Sequence, residues 1–124
     1  MLGDSAAIAT IAVKDVQRAK KFYEDVVGLK PLDSQQADVV NYKTGKNKIL
    51  VYKSQFAGSN KATAATWELD DVESVVTKLK SKGVAFEHYD FPGMKLKGDV
   101  HVANGFKAAW FKDPDGNILA LVGG

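Results

Sequence analysis

Apolar residues along this chain recur at two different spacings, and the switches between them mark out the elements. Residues 6–13, AAIATIAV, are apolar apart from Thr10 and contain Ile and Val, which reads as a buried strand too short for a free-standing helix. Asp15 follows where a helix N-cap belongs, and Val16, Ala19, Phe22, Tyr23, Val26 and Val27 recur three and four residues apart, the spacing of one helical face. Gly28 supplies the stop. Three short extended runs come next, Leu29–Asp33, Asp38–Tyr42 and Lys48–Lys53, the last two joined by the turn-rich link Lys43–Asn47. The first half therefore reads strand, helix, strand, strand, strand.

Gln55–Ala62, with Gly58-Ser59-Asn60, has the composition of a linker, and the same order starts again beyond it. Ala64–Leu69 is a strand, Asp70-Asp71 caps a helix with the apolar face Val72, Val75, Val76 and Leu79, and Gly83 ends it. Val84–Tyr89 is extended, Asp90–Gly105 a long irregular segment, Phe106–Lys112 a strand, Asp113–Asn117 a turn and Ile118–Val122 the final strand. Val13-Lys14-Asp15-Val16 matches Leu69-Asp70-Asp71-Val72, so the order repeats at a period of about 56 residues. We expect a single domain over 1–124 made of two modules, about 6–54 and about 63–122.

Composition removes several classes of function. The chain has 124 residues, 17 Lys plus Arg against 15 Asp plus Glu, and a formal charge of +2. That charge is small and dispersed, so no nucleic-acid partner is expected. Cysteine is absent, which rules out disulfides, thiolate metal ligands and a Cys nucleophile. No apolar run approaches the roughly 20 residues that cross a bilayer. MLGDSAA lacks the basic and long apolar regions of a signal peptide, so we expect no membrane partner and a cytoplasmic protein.

Two segments identify a family. Val13-Lys14-Asp15-Val16-Gln17-Arg18-Ala19, running into Phe22-Tyr23 and Gly28-Leu29, and Ala109-Trp110-Phe111-Lys112-Asp113-Pro114-Asp115-Gly116-Asn117 together resemble the vicinal oxygen chelate superfamily of glyoxalases, bleomycin-resistance proteins and extradiol dioxygenases. The resemblance covers about residues 7–122. The segment Glu87–Gly93, followed by the Trp-Phe-Lys-Asp-Pro-Asp-Gly-Asn run, is similar to a small bacterial subgroup of it. The fold this implies is α+β: two tandem βαβββ modules whose mixed sheet curls into a cup, with one helix per module on the convex side. It also implies a homodimer. One helix covers only one face of each module's sheet, which leaves the other face to line a cavity or meet a partner.

Metal-dependent members hold a divalent ion in the cup with His or Glu. Carried over by distance from the capping Asp, those positions fall on Ile8, Leu50 (Tyr52 with a same-face slip), Ala64 and Ala120. None of Ile8, Leu50, Ala64 and Ala120 carries a donor atom, and neither do the neighbours Ala9, Val51, Ala65 and Leu121, so the expectation is no metal and no cofactor. Strand alternation places Ile8, Thr10, Ala12, Leu50, Tyr52, Ala64, Thr66, Glu68 and Ala120 toward the cup, and Trp67 toward the helix. The candidate ligand-binding residues are Thr10, Leu50, Tyr52, Thr66, Glu68, His101 and Trp110.

The leading reading is a metal-free protein that sequesters a small, neutral or anionic, partly apolar ligand in a dimeric cup. The alternative is a lyase, isomerase or dioxygenase with an atypical site drawing on Glu68, Glu87, His88 or His101, which requires two of these side chains to converge. A third is a dimerisation module with a filled cup. The segment Asp90–Gly105 is long for a connection, and a flap carrying Met94, Leu96, His101 or Phe106 to a ligand is one use for it. Asp113–Asn117 reads as a structural turn, with Pro, Gly and side-chain acceptors at turn positions.

Overall fold

Strand β1 (Ala9–Val13) buries Ile11 and Val13 and leaves Thr10 exposed, the alternation that a strand with one covered face requires. In the computed structural model of the chain, which describes residues 1–32 and 36–123, β1 belongs to the first of two compact units, Met1–Asn60 with Pro114–Asn117. The second unit is Lys61–Asp113 with Ile118–Gly124.

In the first unit, β1 is followed by helix α1 (Val16–Lys20) and by β2 (Lys30–Pro31), β3 (Val39–Thr44) and β4 (Asn47–Lys53). The sheet order is β1-β4-β3-β2, with β1 parallel to β4 and the other pairs antiparallel. Asp15 caps α1, its carboxylate accepting from the Gln17 and Arg18 N–H groups. The expected helix to Val27 is α-helical only as far as Lys20; Lys21–Val26 widen into a π turn, closed by the Val27 N–H on the Phe22 carbonyl. That turn keeps Tyr23 in the core, where its ring lies 6.1 Å from Tyr42. The strand expected over Leu29–Asp33 is present at Lys30–Pro31, and Asp33 lies outside the described residues.

The turn beginning at Pro114 serves this first unit. Asp115 accepts from the Lys14 N–H at 3.1 Å and from the Arg18 guanidinium at 2.5 Å, and the Asn117 side-chain amide donates to the Ala12 carbonyl at 2.7 Å. The β1–α1 junction is thus held by residues about a hundred positions downstream. Gly116 has φ +91° with open space where a Cβ would stand, so the cost of a side chain there is backbone strain. Gly116→Val is expected to lower stability by about 1–2 kcal/mol, read from the urea midpoint; an unchanged midpoint counts against a conformational need for glycine.

The second unit contains β5 (Thr63–Leu69), α2 (Val72–Ser81), β6 (Phe86–Glu87), β7 (Lys95–Lys97), β8 (Val100–Ala103), β9 (Phe106–Lys112) and β10 (Ile118–Gly123). Its sheet runs β5-β10-β9-β8-β7, with β5 parallel to β10 and β6 also paired to β9. Asp71 caps α2 through the Ser74 N–H, and Val72, Val76 and Leu79 are its buried face. Much of Asp90–Gly105, expected to be irregular, is a β-hairpin: β7 and β8 pair antiparallel across Gly98-Asp99, with Gly98 at φ +62°. The expected run Val84–Tyr89 shortens to the two residues of β6. The α+β class and the order of a strand, a helix and further strands in each unit are as the sequence implies.

A candidate binding face on the second unit

Register along β9 decides which side chains share a face. β10 pairs along one edge of β9, while β8 and β6 divide the other, β8 opposite Phe106–Ala108 and β6 opposite Trp110–Phe111. His101 is opposite Ala108 and Glu87 opposite Trp110, so Glu87, His101, Ala108 and Trp110 point the same way. Val100, Val102 and Lys107 point the other way, toward α2, where Lys107 pairs with Glu73. Glu87, His101 and Trp110 therefore lie on the face that α2 does not cover.

Four aromatic rings gather there. Trp110 lies 4.9 Å from His101, 5.3 Å from Phe91 and 5.4 Å from Tyr89, meeting His101 and Tyr89 nearly edge-on. Phe91 also contacts Tyr89 at 5.8 Å and His101 at 6.1 Å. The cluster is possible because β6 and β8 lie along one edge of β9, which brings the chain leaving β6 beside His101. His101 is only 1% exposed, and its Nε2 accepts from the Tyr89 N–H at 2.9 Å. The His101 Nδ1 and the Tyr89 hydroxyl are buried with no hydrogen-bond partner. Burial pushes the Tyr89 pKa up, the nearby Glu87 carboxylate adds to the rise, and Lys112, whose ammonium is 3.4 Å from Glu87, opposes it.

Of the residues singled out from sequence, the structure brings His101 and Trp110 together. Thr66 is exposed and shares their face, in the row Thr66–Ala120–Trp110, two strand spacings or about 10 Å from Trp110. Glu68 lies in the row Glu68–Val122–Ala108–His101, three spacings or about 14 Å from His101, in a recess with Val122 and Phe106. Thr10, Leu50 and Tyr52 belong to the first unit, where Thr10 pairs with Leu50 and Tyr52 with Ala12 on the face opposite Ile11 and Val13. Tyr89 and Phe91 were not singled out; the alternation of Glu87, Tyr89 and Phe91 was their signal, and the boundary read between Tyr89 and Asp90 cut across it.

His88 leaves the face altogether. Its Nε2 lies 2.7 Å from Asp99, whose other oxygen pairs with Lys80 of α2 at 2.6 Å. The Lys80 hydrogen bond, then that of His88, holds the Asp99 carboxyl below its ordinary value of 3.8. The stability from this pairing is complete above that value and is lost as pH falls through the lower folded pKa. Asp99→Asn is expected to lose less thermal stability than the wild type between pH 6 and pH 3; equal losses in both would remove Asp99 from the acid response.

The profile of the Glyoxalase/Bleomycin resistance protein/Dioxygenase superfamily matches residues 6–121. The chain belongs to this superfamily. Its fold is similar to that of lactoylglutathione lyase from Agrobacterium tumefaciens, at 22% identity and TM-score 0.71 over 97% of this chain and 94% of that one. It is also similar to TnmS3, an antibiotic binding protein from Streptomyces sp. CB03234, at 23% identity and TM-score 0.65 over 97% of both chains. The fosfomycin resistance protein FosX from Listeria monocytogenes matches at 14% identity and TM-score 0.72, over 98% of this chain and 93% of that one. At these identities the likeness is one of fold. No curated protein sequence matches.

Ile8, Leu50, Ala64 and Ala120, where the superfamily resemblance places metal ligands, offer hydrocarbon side chains only, so they do not fit a divalent ion. Among the described residues no three His, Asp or Glu side chains are grouped to hold one. None of the acid–base candidates is hydrogen-bonded to another: Glu87 pairs with Lys112, His88 with Asp99, and the Nε2 of His101 with a backbone N–H. No helix among the described residues is long and apolar enough to cross a membrane.

Proposed function

We propose that this superfamily member binds a small, partly apolar, neutral or anionic molecule without a metal, and that it works as a homodimer. The observation that carries the reading is the aromatic cluster of Tyr89, Phe91, His101 and Trp110 on the sheet face that α2 leaves uncovered. Aromatic surface beside a few placed polar atoms is the usual chemistry of a small-molecule site. The polar groups flanking it, Thr66 and the Lys112–Glu87 pair, supply orientation rather than a second catalytic partner for His101. The slight excess of Lys and Arg favours a ligand without positive charge. A fold shared with an antibiotic binding protein is compatible with sequestration. Dimerisation rests on the superfamily resemblance, and light scattering on the eluting protein, giving twice the chain mass, checks it.

The deciding experiment is elemental analysis of tagless protein followed by calorimetric titration with nickel, zinc, iron(II) and manganese. We expect no stoichiometric metal and no saturable heat. Tight binding of one equivalent would overturn the metal-free reading and make a metal-dependent enzyme the leading one. A ligand screen read from the Trp110 indole resonance then tests the face itself.

A further inference from the structure

We infer that the cluster of Tyr89, Phe91, His101 and Trp110 is the closed form of a site for an aromatic ligand carrying a hydrogen-bond acceptor, and that the ligand's ring takes the place of Phe91. The inference rests on the proposed binding face and specifies what that face recognises.

The acceptor follows from the two buried polar atoms. A backbone N–H only donates, so its 2.9 Å bond from Tyr89 makes the His101 Nε2 an acceptor. The Tyr89 carbonyl lies 3.1 Å from the same nitrogen, and the shorter N–H bond is the one taken to set the tautomer. The neutral ring then carries its hydrogen on Nδ1, and that N–H is buried without a partner. The Tyr89 hydroxyl, also buried and unpartnered, is a second donor in the same cluster. A buried donor left unpaired is unfavourable, and a carbonyl, phenolate or carboxylate oxygen brought within reach of the Nδ1–H or of the hydroxyl supplies the missing partner.

The aromatic part follows from Phe91. It touches Tyr89, His101 and Trp110, yet it is 40% exposed, whereas the neighbouring His101 is 1% exposed. Phe91 opens a tight turn closed by the Met94 N–H on its carbonyl at 3.1 Å, with Gly93 at φ +83°. A ring that displaces Phe91 meets the same three neighbours, so the apolar contacts are exchanged while an unpaired donor gains a partner.

The test uses acetophenone and ethylbenzene, which keeps the ring and the two-carbon chain but lacks the acceptor oxygen, titrated into isotopically labelled protein. The readouts are the Trp110 indole N–H, the His101 ring nitrogens and the fitted affinities. Expected are an Nδ1–H tautomer in the free protein, a shift of that N–H with acetophenone, and about tenfold tighter binding of acetophenone than ethylbenzene. Tyr89→Phe, which deletes one unpaired oxygen and should fold, is expected to narrow that preference. Phe91→Ala should tighten both probes by vacating the position. Equal binding of the two probes with a moving Trp110 resonance overturns the acceptor inference and leaves the binding face standing. An Nε2–H tautomer, or an Nδ1–H signal unmoved by acetophenone because a bound water already holds it, also overturns it. If neither probe moves Trp110, even in Phe91→Ala, both the inference and the proposed face fail.

Discussion

Asp115→Ala is expected to lower the stability of the protein by about 2–3 kcal/mol, because a buried carboxylate that ties three parts of the first unit together disappears. The Asp115 side chain is 2% exposed and accepts from both the Lys14 N–H and the Arg18 guanidinium, itself half in solvent. Those two donors lie at the exit of β1 and in α1, so the lost bonds loosen the junction rather than a surface loop. The chain at Gly58 packs on the same turn: a Cβ there would come within 1.9 Å of the Asp115 carbonyl oxygen. Arg18→Ala is expected to cost less, since the carboxylate loses its charged partner but keeps the Lys14 N–H. The double variant should cost far less than the two singles added, which is the signature of one shared interaction. Urea denaturation of the four proteins reads this directly. Additive losses would mean that Arg18 and Asp115 act separately, and an Asp115→Ala midpoint equal to the wild type would remove the turn from the support of the first unit.

That junction also shows what the chain makes legible and what it hides. Asp15 and Asp71 were readable as caps because a cap bonds to amides two or three residues away, well within a local pattern. Asp113–Asn117 was readable as a turn for the same reason, but the partners of Asp115 lie 97 and 101 residues upstream, and no local pattern carries that distance. The π turn at Lys21–Val26 was invisible because its residues carry the same three-and-four apolar spacing in the sequence as an α-helical face. The β7–β8 hairpin was missed because Lys95-Leu96-Lys97 offers one apolar residue and Gly98-Asp99 reverses the commoner Asp-Gly order. At the candidate site, Trp110 and His101 stood out as residue types. What joins them is the sharing of one edge of β9 between β6 and β8, a property of pairing that alternation along a single strand does not contain.

Trp110→Ala should weaken binding of acetophenone, and of any ligand found in a screen, by 30-fold or more. Trp110 is the ring that lies within 5.4 Å of all three other members of the cluster, so its removal takes away the floor on which an incoming ring would rest. Truncating such a central aromatic anchor typically costs 2 kcal/mol or more of binding free energy, which is about 30-fold in Kd. Trp110→Phe keeps apolar surface at the centre and should retain most of the affinity. Trp67 supplies the control: it is half-buried like Trp110, but it points with Ala65 and Leu69 to the α2 side of the sheet, so Trp67→Phe should leave the affinity unchanged while lowering the melting temperature. Stability and affinity thus separate the two faces. If Trp110→Ala lost stability but kept its affinity for the probe, the aromatic cluster would be a packing device, and the binding face would have to be sought among Thr10, Leu50 and Tyr52 of the first unit.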